Sequence, residues 1–143
     1  MVESRAWMQR AADAGFVDAQ VSLGEMLVNG RGGPRDHKAA LDLFHAASAQ
    51  GHAGATFALG ALYGGGHEIP EDRAAALQCF RLAGERGHAL AQLMVGRYLA
   101  RGLAGMVELR EARLWFERAQ ASGAAGAEAE LAALPNEALS DVA

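Results

Sequence analysis

The chain is predicted to be all-α, a right-handed α-solenoid (superhelix) of helix-turn-helix repeats, and three observations carry the prediction. Gly15, Gly51, Gly87 and Gly123 stand one every 36 residues, and the segments between them repeat in one register without insertion or deletion. A fixed period of this size marks a stacked repeat architecture. Within each period the apolar residues fall at helical spacing, as in Ala19, Leu23, Met26 and Leu27, then Ala40, Leu43, Phe44 and Ala47. Start and stop signals agree with the period: Asp36 and Asp72 stand where a helix N-cap is wanted, and Gly51, Gly87 and Gly123 suit the left-handed position that closes a helix.

Taken in order, residues from about 4 to 14 form a lone second helix, because Trp7-Met8 and Ala11 align with Leu43-Phe44 and Ala47. Three full repeats follow at about 15–50, 51–86 and 87–122. In the first of them one helix runs over about 18–29 and the other over about 38–50. Gly30-Arg31-Gly32-Gly33-Pro34 between them suits neither helix nor strand and is a loop. In the third repeat Glu108 replaces the capping Asp, which weakens the start signal of that helix. A half repeat at about 123–134 closes the series, its helix over 127–133 stopped by Pro135, and a tail covers 135–143. The whole is expected to be one domain, of a size that suits a continuous core. The half repeats fit a piece of a longer solenoid and a short protein with improvised caps equally well.

Gly24, Gly60 and Gly96 fall mid-helix at one repeat position, although glycine there costs roughly 1 kcal/mol relative to alanine. Close approach of a facing helix to bare backbone is the expected reason. Phe44, Phe80 and Phe116 are then expected to fill the space between helix pairs.

The pattern Gly-x-x-x-Ala-x-x-x-Leu-Gly, a Gly-rich loop, an Asp, then Ala-x-x-(Trp/Leu)-Phe-x-x-Ala resembles the Sel-one-like repeat, a relative of the tetratricopeptide repeat. Ala55, Leu59-Gly60, Leu62-Tyr63, Gly66, Asp72, Ala76, Phe80, Ala83 and Gly87 carry it in one copy, and Ala91, Gly96, Tyr98, Gly102, Ala112, Trp115, Phe116 and Ala119 in the next. The resemblance implies a protein–protein interaction scaffold or adaptor rather than an enzyme. In tetratricopeptide-like stacks the first helix of each pair lines the concave surface. Carried onto this chain, one row of that surface is Val21, Phe57, Leu93 and Ala129, and the next is Glu25, Ala61, Arg97 and Ala133, with Asn29, Gly65 and Arg101 at the rim. The implied partner is a protein or an extended peptide with a hydrophobic anchor and an acidic neighbour. The alternative, in which Phe57 and Leu93 close the inter-repeat core, stays open at this point. Disulfide-bearing relatives have been linked to penicillin binding and β-lactamase activity, which makes an enzyme of that kind the second reading. A structural spacer in a larger chain is the third.

Composition and motif searches narrow the field. A net charge of −4 and the lack of a basic tract give no electrostatic case for nucleic acid. No apolar run reaches the roughly 20 residues of a membrane span. No signal peptide follows Met1; a native start there implies a cytoplasmic protein, and a longer precursor leaves export open. Cys79, the single cysteine, is expected to be a small core thiol, since it shares the position of Trp7, Leu43 and Trp115. The glycine clusters lack the motif of a phosphate loop or a dinucleotide site. His52 and His88 are expected to be turn residues after a capping glycine, and His37, His45 and His67 show no zinc-ligand spacing. Asp42 and His45 read as a surface pair. No catalytic, cofactor-binding or metal-binding residue is assigned. Trp7, Met8 and Leu131 lie near the open faces of the half repeats, which implies weak end-to-end self-association unless the tail 136–143 folds back as a cap.

Overall fold

A computed structural model describes residues 2–65 and 67–135, with side chains from Arg5 onward. Gly66 and the tail 136–143, to which the sequence assigned a repeat position and a capping role, lie outside the described residues. Among the described residues the chain forms eight helices and no strand: α1 (Val2–Asp13), α2 (Val17–Asn29), α3 (His37–Ala49), α4 (Ala53–Tyr63), α5 (Arg73–Glu85), α6 (Ala89–Arg101), α7 (Leu109–Ala121) and α8 (Ala127–Ala133). They fall into two compact units, Met1–Asp72 and Arg73–Ala143. In the first unit α1 packs on α2, α2 on α3 and α3 on α4; in the second α5 packs on α6, α6 on α7 and α7 on α8.

The helices end where the glycines stand. At Gly51 and Gly87 the backbone takes φ +91° and +93°, a conformation that favours glycine. The Gly51 N–H donates to Ser48 O and the His52 N–H to Ala47 O, the two bonds of a Schellman motif. The same two bonds recur at Gly15, Gly87 and Gly123, so four helices stop by one device. Each two-helix repeat is also closed by one backbone bond: the N–H groups of Asp36, Asp72 and Glu108 donate to Leu27 O, Tyr63 O and Leu99 O. Asp36 adds a side-chain cap, accepting from the Ala39 N–H at 3.0 Å. Glu108 makes no such cap, yet α7 starts on schedule because the backbone closure is still there.

The mid-helix glycines serve a ring rather than a backbone. A Cβ added to Gly24 would stand 2.7 Å from Phe44 Cε1, and one added to Gly96 would press on the Phe116 ring more closely still. Phe44 and Phe116 therefore press against the glycine of their own helix pair, whereas Phe80 also reaches the next pair, its ring 5.4 Å from that of Tyr98, as the sequence suggested. Phe44 and Phe116 are 2% and 0% exposed, and burying each such side chain contributes roughly 1.5–3 kcal/mol. Gly60 is buried at the same position on α4.

Successive repeats meet through a buried polar contact that recurs with the period. Gln20 Nε2 donates to Ala12 O at 3.4 Å, and Gln92 Nε2 to Gly84 O at 2.9 Å. Between them in register, Thr56 is too short to reach a carbonyl so far away, and Ser48 supplies a hydroxyl 2.5 Å from Thr56 Oγ1. Arg5 ties α1 to the α2–α3 loop, donating to Met26 O, Arg31 O, Gly33 O and Pro34 O.

Candidate functional site

On α2 the residues at helical spacing Ala19, Leu23, Met26 and Leu27 are buried, so Val21 and Glu25 turn to the opposite side. Val21 is half-buried, while Glu25 and Asn29 are exposed. On α4, Ala55, Thr56, Leu59 and Leu62 face inward, which leaves Phe57 half-buried and Ala61 exposed on the outer side. Within the first unit these residues share the side of α2 and α4 away from the buried row, with the Phe57 ring half-buried.

The second unit departs from the expectation. Leu93 is 1% exposed and belongs to the core. Arg97 and Arg101 both point at α8, where Arg97 Nε lies 2.9 Å and Arg101 Nη2 3.1 Å from Glu130 Oε1. The acidic neighbour assigned to a partner peptide is supplied here from within the chain. Glu130 follows Ala129 and precedes Leu131, in a row that sequence reasoning treated only through its alanines. Ala129 and Ala133 are exposed.

A second feature of this unit lies on the second helices. Arg81, Glu111, Leu114, Trp115, Glu117 and Arg118 line an open cleft of about 670 Å³. The Arg118 guanidinium stacks 4.2 Å from the Trp115 ring centre, Trp115 Nε1 donates to Glu111 at 3.2 Å, and Arg81 pairs with the same carboxylate. The hydrogen bond from Arg81 holds the Glu111 carboxyl below its ordinary value, against the opposing effect of partial burial, and Trp115 adds to the lowering. Only the i, i+4 spacing of Glu111 and Trp115 hinted at this arrangement.

The histidines have roles that sequence reasoning placed only roughly. His52 and His88 cap the next helix, each Nδ1 accepting a backbone N–H, from Ala55 at 2.9 Å and from Ala91 at 3.1 Å. His45 pairs with Tyr63, its Nε2 lying 3.1 Å from the phenol oxygen, rather than with Asp42. His37 is buried, accepts from the Glu68 N–H at 3.1 Å and meets the His67 ring edge-on at 5.1 Å. Among the described residues no group of three or more His, Cys, Asp or Glu could hold a metal ion, and no helix is long and apolar enough to cross a membrane. Cys79 is half-buried, and burial pushes its thiol pKa up, which disfavours the reactive thiolate.

A helix-pair repeat with glycine-for-ring packing and a fixed period defines an α-helical repeat protein of the tetratricopeptide-like class. The Sel1 repeat model matches residues 1–16, 17–52, 53–88 and 89–123, and the chain belongs to the Sel1 repeat family. Proteins of this family generally act as scaffolds for protein interaction, and their all-helical fold is typically non-enzymatic. Among solved structures, a Sel1 repeat protein from Oxalobacter formigenes is similar at TM-score 0.82 and 26% identity, over 92% of this chain and 52% of that one. A protective antigen of uropathogenic Escherichia coli strains, which displays an SLR fold, is similar at TM-score 0.79 and 29% identity, over 83% of this chain and 26% of that one. The chain therefore spans about half the length of the first and about a quarter of the second. No curated protein matches the sequence. The hydrolase reading attached to disulfide-bearing relatives gains no support, since Cys79 is the single cysteine of the chain.

Proposed function

We propose that this chain is an interaction scaffold that binds a peptide or partner protein on the face formed by the first helix of each repeat, which the resemblance makes the concave one. The residues that carry the contact are Val21, Glu25, Phe57 and Ala61 in the first unit, and Arg97 and Arg101 in the second, while Leu93 is buried. The observation that carries the reading is Phe57. It is a large apolar side chain that is only half-buried on α4, four residues before exposed Ala61. Aromatic anchors of this kind dominate binding energy at interfaces. Arg97 and Arg101 are already paired with Glu130 on α8, and the 56%-exposed side chain of Arg101 keeps part of its guanidinium open to a partner.

Affinity capture from the source cell identifies the partner, and calorimetry with that partner tests the face. Phe57→Ala is expected to weaken binding by about 2 kcal/mol, roughly thirtyfold, while the melting temperature stays close to that of the parent. A large loss of melting temperature with unchanged affinity would return Phe57 to the core and defeat the proposal.

A further inference from the structure

Two guanidinium groups on α6 share one carboxylate oxygen. Arg97 and Arg101 stand four residues apart, hence on one face of the helix. Arg97 Nε lies 2.9 Å and Arg101 Nη2 3.1 Å from Oε1 of Glu130 on α8. Two positive charges therefore meet one negative charge. Among the described residues, both Nη groups of Arg97 and the Nε and Nη1 groups of Arg101 meet no acceptor. The side chains of Arg97 and Arg101 are 31% and 56% exposed and that of Glu130 is 17% exposed, so solvent reaches the arginines more than the acid that holds them.

The repeat itself does not call for this arrangement. The position of Glu130 is held by Ser22, Ala58 and Met94 in the earlier first helices, and that of Arg97 by Glu25 and Ala61. Those helices form and pack without a carboxylate there. An ion pair with one partner more than half exposed contributes little to folding. Its larger effect is occupancy, because the Glu130 carboxylate sits on the donors that an acidic group of a partner needs.

We infer that Glu130 is an internal competitor that sets how acidic a partner segment must be to engage Arg97 and Arg101. The inference rests on the first-helix reading of the partner face and adds a specificity-determining residue to it. A lone acidic side chain that displaces Glu130 exchanges one carboxylate for another. A segment with adjacent carboxylates does better, since the released arginines offer donors for two charge-assisted contacts. The apparent affinity of such a segment is reduced by the fraction of molecules in which the internal pair is open, and for a pair this exposed the reduction is a few fold.

Capped hexaglutamate, with capped hexaglutamine as the neutral control, is titrated into the 15N-labelled 143-residue chain and followed by nuclear magnetic resonance. The salt is held at about 0.1 M, where exposed charges more than roughly 10 Å apart are largely screened. The parent is expected to bind hexaglutamate weakly and hexaglutamine not at all. The Arg97 Nε–H signal, bonded to Glu130 in the free protein, is expected to move on saturation. Glu130→Gln is expected to tighten hexaglutamate binding by roughly three- to tenfold. Glu128→Gln removes the same charge from an exposed position of the same helix that bonds to neither arginine, and is expected to change the affinity by about twofold or less. Combining Glu130→Gln with Arg97→Gln and Arg101→Gln is expected to abolish the gain. Should Glu130→Gln melt early, the Arg97 signal of the parent decides alone. Hexaglutamate carries no apolar anchor, so these readings report on the arginines while Phe57→Ala reports on the partner face, and the two can fail separately. No binding of hexaglutamate to the parent, an Arg97 Nε–H signal that stays in place on saturation, an unchanged affinity in a folded Glu130→Gln, or an equal gain from Glu128→Gln overturns the inference.

Discussion

Gln20 and Gln92 occupy the same place in the repeat, yet only one of them is fully satisfied. The Gln20 carbonyl accepts from Gln50 Nε2 at 3.0 Å, whereas Gln92 Oε1 is buried and meets no donor. The register explains the difference: the position of Gln50 is taken by Ser122 in the second unit, and a serine is too short to reach. Ser122→Gln is therefore expected to stabilise the protein by about 1 kcal/mol, read as a melting temperature higher by roughly 3 °C. An unchanged or lower melting temperature would show that the new side chain does not reach Gln92. Glu111 supplies a second test at this scale. Its folded carboxyl titrates below its unfolded value, so its contribution to stability is fully present above the ordinary Glu value of about 4.3 and vanishes as pH falls through the lowered folded value. Glu111→Gln is expected to flatten the acid side of the stability profile and leave its shape above that window alone. A profile identical to the parent's would mean that the ion pair with Arg81 contributes nothing. Neither network was legible beforehand, because a glutamine or glutamate on a helix looks solvated until the partner helix is placed.

At the scale of the element, the sequence foretold the helices because every device that makes them is local. Apolar spacing, the left-handed glycines and the Asp36 cap lie within a few residues of the bonds they make. α8 was expected over 127–133 and spans Ala127–Ala133. What local signals missed was the target of packing. Mid-helix glycine announced a close approach, but it took the paired helix to show that the visitor is the Phe44 ring rather than backbone. Gly24→Ala is expected to cost about 1–3 kcal/mol by overpacking, and Phe44→Met to cost a similar amount through lost contact. The double substitution is expected to cost at least about 1 kcal/mol less than the sum, because the space the ring gives up is where the added methyl group goes. Additive losses in chemical denaturation would show that the glycine and the ring do not form one packing unit.

Across the whole molecule, the repeat period was legible from end to end, whereas the proposed partner face was legible only in part. Equivalent positions in register need not have equivalent exposure: Val21 and Phe57 are half-buried, Leu93 is sealed in the core and Ala129 is exposed. A pattern of residue types fixes which side of a helix a position takes, but what else covers that side is decided by elements distant in sequence, as Glu130 on α8 reaches Arg97 and Arg101 on α6. The histidine caps belong to the same lesson, for His52 and His88 were placed in the right turns and given too small a role. The proposal that matters most is that partner binding uses the face formed by the first helices. Amide chemical-shift mapping with the captured partner tests it most directly. The account predicts that perturbed residues gather on α2 and α4 around Val21, Glu25, Phe57 and Ala61, and on α6 near Arg97 and Arg101. Perturbation confined to the second helices, centred on the cleft of Arg81, Trp115 and Arg118, would contradict it.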